Sequence, residues 1–246
     1  MKTSRWLYRR LWKGLFALAV TMVPVILLGL VQTGCREKFS QAKKTTARYT
    51  VVIDPGHGGY DCGKLGVGDI EEKDINLQIS LILAGILRQN DCQVIMTRKD
   101  DTAPFTEGME QNKTSELRER CRIIDESRAD VAVSIHQNSY PSQQVHGAQV
   151  FYAQGSEQGR KLAEQMQIQL RQHLDPENLR QAKANPSYYI LTHTKTPTVI
   201  AECGFLSQAE EASRLAQPVY QRRVAWAVAM AVLQYLGEED LEEGQT

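Results

Sequence analysis

Short apolar runs alternate with segments of helical periodicity along most of the chain after residue 49. Runs rich in β-branched residues, such as TVVID at 50–54, are typical of strands buried on both faces. Between these runs, apolar residues recur at intervals of three and four, as in the segment from Ile75 to Ile86, which predicts amphipathic helices. This alternation predicts an α/β domain with a mostly parallel central sheet of about six strands and helices on both faces.

The same pattern predicts where the elements begin and end. Strands are predicted at residues 50–54, 93–97, 129–135, 147–152, 187–191 and 198–201, with a loop at 100–114. Helices are predicted after a capping Asp74, from Ser115, over residues 157–173, and from Pro218 to about Leu236.

The first 35 residues differ from the rest of the chain. Five basic residues between positions 2 and 13 precede an apolar segment whose core, residues 15–31, is 17 residues long. This length is short for a membrane span and long for the core of a secretory signal. The basic residues predict a cytoplasmic N-terminus and a domain outside the cytoplasm. We favour an uncleaved membrane anchor, with a cleaved signal or a lipoprotein cleavage site before Cys35 as alternatives.

Charge is segregated along the chain, although its formal net charge is zero. Residues 1–48 carry +9 and the remaining 198 residues carry −9. We interpret 36–48 as a basic tether, 49–237 as one domain of comfortable size, and 238–246 as a solvated acidic tail. A mildly acidic domain is a poor electrostatic partner for nucleic acid. The five cysteines are scattered without a CxxC pair, which predicts free thiols and argues against a structural zinc ribbon.

Polar residues stand at the ends of three predicted strands. His57 follows the first strand in DPGHGG, His136 follows the third in SIHQNS, and Glu202 follows the last in VIAECGF. Ligand sites of open α/β sheets lie at the carboxyl ends of the strands, so parallel neighbours would bring these side chains to one edge. Glu72, at the beginning of the first predicted helix, is expected at the same edge.

Two imidazoles and one carboxylate are a common ligand set of catalytic zinc, because they leave one coordination position for water. Zinc lowers the pKa of that water from ~15.7 to ~7, and a second carboxylate can pass its proton to a leaving amine. Spacing alone leaves open that each histidine is an ordinary loop or core residue, and that Glu71 and Glu72 are an ordinary helix N-terminal pair. Glu202 is harder to explain in that way, because an acid buried among apolar residues without a partner is costly.

Other motifs are interpreted as having no catalytic or ligand-binding role. Residues 58–64, GGYDCGK, match the first seven positions of a phosphate-binding loop, but Leu65 stands where Ser or Thr would hold magnesium. The sequence therefore argues against nucleotide binding. The remaining histidines, His146, His173 and His193, are interpreted as ordinary polar residues.

Five motifs in order, VVIDPGHGG, EEKDINL, VIMTR, VSIHQNS and VIAECGFLS, resemble those of zinc-dependent N-acetylmuramoyl-L-alanine amidases of the third amidase type, over residues 50–237. The resemblance implies an amidase or zinc-exopeptidase-like fold, with Zn²⁺ bound by His57, Glu72 and His136 and with Glu202 as the catalytic acid/base. The implied reaction hydrolyses the amide between N-acetylmuramic acid and L-alanine in peptidoglycan. SIHQNS replaces the usual SIHANA, so Gln137 is expected to alter the pocket rim.

Within this family, the chain is most similar to the germination-specific amidases of endospore-forming bacteria, through its short N-terminal segment and its RQAK…SYYIL stretch at 180–191. This similarity implies removal of stem peptides from spore cortex on the way to muramic-δ-lactam, outside the cytoplasm, as in the forespore intermembrane space. Residues 139–146 are too few for the helical insert of self-inhibited members, so control by an activating partner protein is expected. A non-catalytic peptidoglycan-binding protein and a zinc peptidase acting on another amide stay open as alternatives.

Overall fold

A sheet in the order β2-β1-β3-β6-β4-β5 forms the centre of the domain in a computed structural model, which describes residues 47–106 and 108–243. The strands are β1 (Tyr49–Pro55), β2 (Cys92–Met96), β3 (Val131–Asn138), β4 (Gln149–Ala153), β5 (Lys183–Asn185) and β6 (Thr198–Phe205). The helices are α1 (Glu72–Gln89), α2 (Lys113–Glu126), α3 (Glu157–Leu174), α4 (Tyr189–Thr192), α5 (Ala209–Leu215) and α6 (Pro218–Glu243).

The first four strands in this order, β2, β1, β3 and β6, are all parallel. β4 pairs with β6 in the antiparallel direction, and β5 pairs with β4 in the parallel direction. The mostly parallel α/β sheet predicted from the sequence is therefore confirmed. Parallel neighbours end at the same edge, so the carboxyl ends of β1, β3 and β6 lie side by side.

Helices cover both faces of the sheet, as predicted, but unequally. The larger apolar cluster contains residues of α1, α3 and α6 together with Ile53 and Val133 of the sheet. The smaller cluster contains residues of α2 and α4 together with Val52 and Ala132. Successive residues of a strand point to opposite faces, so each central strand contributes to both clusters.

Two strands end at least three residues later than the sequence pattern predicts. β3 and β6 continue past the apolar runs, so His136 and Glu202 lie within strands rather than after them. The predicted capping role of Asp74 is wrong, because α1 already begins at Glu72 and Asp74 lies in its first turn. Asp74, which was predicted to precede the helix, therefore belongs to its first turn.

The predicted strand at 187–191 is also wrong, because most of it forms helix α4. The edge strand β5 ends just before it, at Asn185. The Asn185 side chain accepts hydrogen bonds from the backbone N–H groups of Ser187 and Tyr188, at 2.8 Å each. Such an Asx turn reverses the chain and favours a helical turn over the strand that SYYIL would otherwise prefer.

Helix α6 continues through residues 238–243, which the sequence interpretation assigned to a solvated acidic tail. Asp240 accepts a hydrogen bond from Tyr49 and forms an ion pair with Arg48, and Glu239 forms an ion pair with Lys161 at 3.1 Å. These contacts hold the end of the helix against the beginning of the domain and against α3.

Among the described residues, no helix combines the length and the apolar character needed to cross a bilayer. The predicted anchor or signal segment, with Cys35, and most of the basic tether lie outside the described residues.

Candidate metal centre

Three of the four residues singled out in the sequence meet at the carboxyl edge of the sheet. His57 follows β1, Glu72 opens α1, and His136 lies near the end of β3. One possible ligand atom from each lies within 4.8 Å of the others. His57 Nε2 is 3.1 Å from Glu72 Oε2, and His136 Nδ1 is 3.0 Å from Glu72 Oε1. Both imidazoles therefore face one carboxylate.

Glycines make this close approach possible. A Cβ atom at Gly56 would lie 2.2 Å from Cε1 of His136, and one at Gly63 would lie 2.6 Å from Oε2 of Glu72. Gly63 also has a φ of +71°, and His57 itself has a φ of +61°, in the left-handed region. Any larger residue at Gly56 would occupy the space of the imidazole.

A second carboxylate orients His57. Oδ2 of Asp61 lies 2.8 Å from Nδ1 of His57, which leaves Nε2 to face Glu72. Asp61 also forms an ion pair with Lys113 and accepts the N–H of Gly63 at 3.0 Å. Burial would raise the pKa of Asp61, but hydrogen bonds from Lys113 and His57 outweigh it and hold the pKa well below its usual range. A carboxylate in this position fixes the ring of a metal-binding histidine.

Glu72 is a buried carboxylate, and both of its oxygens accept hydrogen bonds. Oε1 accepts the N–H of Gln137 at 3.0 Å, and Oε2 accepts the N–H of Lys64 at 2.9 Å. Burial alone would raise the pKa of Glu72, but hydrogen bonds from His136 and His57 keep it well below its usual range. Burial has the opposite effect on His136, where it would lower the pKa, but the Glu72 carboxylate outweighs burial and raises the pKa of this histidine. Hydrogen bonds to both carboxylate oxygens therefore stabilise the buried Glu72 anion.

Glu202 is the cross-strand neighbour of His136 in the β3–β6 ladder. It lines the same cavity of about 330 Å³ as His57 and His136. Its Oε2 atom is buried and has no hydrogen-bond partner among the described residues. Burial raises the pKa of Glu202 to about 7, against the lowering effect of the His136 imidazole. A carboxyl group with such a pKa can hold or release a proton near neutrality.

The sequence analysis did not predict a buried ionic network that lies beneath the site. Asp54 accepts hydrogen bonds from Thr97 and Ser134 at 2.6 Å and from Arg120 at 2.5 Å. Arg120 also donates to Glu116 at 2.7 Å and to the carbonyl oxygen of His57 at 2.6 Å. The signal in the sequence was Asp54 itself, an acid at the end of the apolar run TVVID.

The remaining sequence interpretations concern residues outside the group that could hold a metal. His146, His173 and His193 do not belong to it among the described residues. Residues 58–64, rejected as a phosphate-binding loop, form the turn that carries Asp61 and Gly63. Four of the five cysteines are described, and all four are free, as predicted: Cys62, Cys92, Cys121 and Cys203.

Two imidazoles and a carboxylate that could hold a metal ion lie at the carboxyl edge of a mostly parallel α/β sheet, beside a buried oxygen of Glu202 that has no partner among the described residues. This arrangement is typical of metal-dependent hydrolases. The sequence profile of the N-acetylmuramoyl-L-alanine amidases matches residues 51–234. The chain therefore belongs to the N-acetylmuramoyl-L-alanine amidase family and is an enzyme of this type, which acts on peptidoglycan.

Relatives and solved structures agree with this assignment. The chain is 38% identical over 192 residues to the germination-specific N-acetylmuramoyl-L-alanine amidase of Bacillus subtilis (strain 168), covering 77% of this chain and 80% of the relative. It is 34% identical, with a TM-score of 0.73, to the CwlD amidase from Clostridioides difficile, solved in complex with the GerS lipoprotein, over 77% of this chain and 98% of that one. For the amidase AmiC2 of Nostoc punctiforme the identity is 36% and the TM-score is 0.67, over 77% and 97% of the two chains.

Proposed function

We propose that this amidase depends on zinc, that His57, Glu72 and His136 bind the ion, and that Glu202 is the catalytic acid/base. One observation carries the proposal: three ligand atoms of suitable chemistry lie within 4.8 Å of one another, beside a buried carboxyl oxygen of Glu202 for which the described part of the chain offers no hydrogen-bond partner. Two imidazole nitrogens and one carboxylate oxygen suit Zn²⁺ and leave a position open for water. When bound, zinc supplies a Lewis acid and a water of lowered pKa.

The protein side chains have separate roles in this proposal. Glu202, as a carboxylate, takes a proton from the attacking water at Oε2, and as an acid it delivers that proton to the leaving nitrogen of L-alanine. Asp61 keeps the His57 ring oriented through the 2.8 Å contact with Nδ1. Ile190 and Ile200 line the cavity that also contains Glu202, and their apolar surface limits the access of bulk water to the reacting amide.

We further propose that the substrate is spore cortex peptidoglycan, from which the enzyme removes stem peptides before muramic-δ-lactam is formed. The relative of Bacillus subtilis described as germination-specific supports this substrate. The complex of the CwlD amidase with the GerS lipoprotein supports an activating partner protein for this chain. Residues 1–35 would act as a membrane anchor or secretory signal, residues 36–48 as a tether, and residues 49–237 as the catalytic domain outside the cytoplasm.

The decisive experiment incubates the full chain with purified cortex and follows the fragments by mass spectrometry. We expect free stem peptides beginning with L-alanine and muramic acid residues with a free lactyl carboxyl, both lost with a chelator and restored by Zn²⁺. Cleavage within the peptide would instead indicate a zinc peptidase. Binding without any cleavage would indicate a non-catalytic peptidoglycan-binding protein.

The role of Glu202 is tested by Glu202→Gln, which keeps the shape of the side chain but cannot carry the proton. We expect activity to fall by roughly 10²–10⁴-fold, because general acid–base catalysis contributes about that much. Zinc content, measured by plasma emission spectroscopy, should stay unchanged, whereas His136→Ala should lower it. The surface variant Glu210→Gln is the control. Full turnover by Glu202→Gln would exclude the proposed role.

A further inference from the structure

The last residue of the VIMTR motif has no part in the proposed chemistry, yet it is buried under the metal centre. Arg98 follows β2 and is only 4% exposed. A Cβ atom at Gly58, the residue after His57, would lie 2.8 Å from Cδ of Arg98. The side chain is therefore packed directly against the loop that carries His57.

All four hydrogen-bond acceptors of Arg98 among the described residues are backbone carbonyl oxygens. Nε donates to Pro55 at 3.0 Å, and Nη1 donates to Asp100 at 2.9 Å. Nη2 donates both to Gly56 at 3.0 Å and to Lys73 at 2.8 Å. Gly56 immediately precedes His57 and Lys73 immediately follows Glu72, so one guanidinium nitrogen joins the two segments that carry these ligands.

Only a guanidinium can make this set of contacts. It presents five N–H donors in one rigid plane, whereas the ammonium of lysine is a compact group on a flexible stem. A buried cation beside a site for a metal cation has an electrostatic cost. Burial and the neighbouring Arg120 lower the pKa of Arg98 to about 10. The geometry of its N–H donors, rather than its charge, therefore explains why an arginine occupies position 98.

We propose that Arg98 is a positioning residue that fixes the spacing between His57 and Glu72 by holding the carbonyl oxygens of their neighbours in the chain. This inference rests on the proposed metal ligands. Ligands must be held to within a fraction of an ångström for tight binding, so loss of the bridge weakens metal binding more than it weakens the fold.

The contacts of Arg98 are best understood by comparison with those of two neighbouring residues, Asn76 and Arg120. Asn76 makes a parallel bridge, because its Nδ2 donates to the same Gly56 oxygen at 3.1 Å and to Oε1 of Glu72 at 3.3 Å. Arg120 differs, because it pairs with the buried carboxylates of Asp54 and Glu116. Removing Arg120 would take the cationic partner away from two buried carboxylates, whereas replacing Arg98 leaves only carbonyl groups to rearrange.

The test compares Arg98→Lys and Arg98→Gln in the full chain. Zinc affinity is measured by competition with a chromogenic chelator, and the thermal unfolding midpoint is measured in excess EDTA. We expect both variants to bind zinc 10–100-fold more weakly, as is typical when a group supporting a ligand is lost, with a small change in the metal-free midpoint. The control is Arg122→Lys, at a half-exposed arginine on α2 that pairs with Glu119 and Glu126; it should behave as the wild type.

Each other outcome has a distinct meaning. Wild-type affinity in Arg98→Lys would overturn the proposal and indicate that the charge alone suffices. Loss of the metal-free fold in both variants would also overturn it, because Arg98 would then be a residue of general stability. If the wild type and His136→Ala bind zinc equally, the proposed metal ligands are wrong, whatever the Arg98 variants do.

Discussion

The two faces of the central sheet differ in what they bury. The face covered by α1, α3 and α6 is apolar over most of its length, as Val51 and Ile53 illustrate in β1. It becomes polar at the carboxyl end of β3, where buried Gln137 donates to Asn76 of α1. The face covered by α2 and α4 begins apolar at Val52, but the next residue on that face of β1 is Asp54. One strand thus contributes to a dry core on one side and to an ionic network on the other.

On the second face, polarity increases towards the carboxyl edge in step across the strands. Val52 is level with Ala132, and Asp54 is level with Ser134. Further along, His136 is level with Glu202. The difference between the faces teaches that the two-residue period of a strand can place apolar packing on one side and polar groups on the other. The two can therefore be tested by changes at alternate positions of the strands.

The largest expected effect comes from closing the space beside His136. In Gly56→Ala, the added Cβ would lie 2.2 Å from the imidazole, and the ring must move. We expect zinc content and amidase activity each to fall by 100-fold or more, since displacement of reacting groups by about 1 Å already costs about 100-fold in rate. Equilibrium dialysis against Zn²⁺ and a peptide-release assay measure the two losses.

A matched control lies on the apolar side of the molecule. Gly85 lies in the C-terminal half of α1, and a Cβ atom there would have no described atom within 4 Å outside the backbone of its own helix. Gly85→Ala should leave activity unchanged and stabilise the fold by about 0.5–1 kcal/mol, because alanine loses less entropy in a helix. A Gly56→Ala enzyme with normal zinc content would show that the centre tolerates the added methyl group.

The next effect compares identical truncations on the two faces. Ile53 is fully buried on the apolar face, whereas Ile200 belongs to the smaller cluster and lines the cavity. Replacing a buried isoleucine by alanine costs about 2–5 kcal/mol, depending on the void that is left. We expect the loss of unfolding free energy, measured by urea unfolding, to lie near the upper end of this range for Ile53→Ala and near the lower end for Ile200→Ala. Equal losses would contradict a difference in packing between the faces.

The smallest effect concerns the pH dependence of the ionic network. Burial would raise the pKa of Asp54, but Arg120 and the hydroxyls of Ser134 and Thr97 lower it from 3.8 to about 2. A lowered pKa in the folded state stabilises the protein above pH 3.8, and this contribution is lost as the pH falls through 2. The shift corresponds to roughly 2 kcal/mol.

This contribution is measured as a difference between variants. The gap in unfolding free energy between wild type and Asp54→Asn should shrink by about 2 kcal/mol between pH 5 and pH 2. The exposed Asp69, replaced by Asn, serves as the control and should follow the wild type. A constant gap over this range would mean that Asp54 is not held as an anion by its partners.

Much of the fold was predictable because its signals are local. Apolar periodicity correctly indicated the strands at TVVID and 198–201 and the helix over 157–173. The prediction failed at 187–191, where the Asn185 side chain redirects the backbone, and at Asp74, where tertiary contacts extend α1 towards its N-terminus. In both places, a specific hydrogen bond or contact outweighs an average preference of residue types.

The residues of the candidate site were predictable only in part. His57, His136 and Glu202 were visible as polar residues at the ends of apolar segments, and Glu72 as an acid at the beginning of a predicted helix. The supporting residues were not, because their partners depend on how the strands align. Asp54 and Ser134, for example, are 80 positions apart and meet only through the register of β1 and β3.

By itself, the sequence determined the alternation of strands and helices over most of the domain, the buried character of strands such as TVVID at 50–54, and the kinds of donor groups available for a metal. Only the tertiary structure decided that three of those groups face one another, that Asp61 holds one ring, and that Arg98 joins the segments of His57 and Glu72. The physical reason is that periodicity records which side of an element is buried. Distances of about 3 Å between remote side chains are instead set by strand register, close glycine contacts and the hydrogen bonds that fix them.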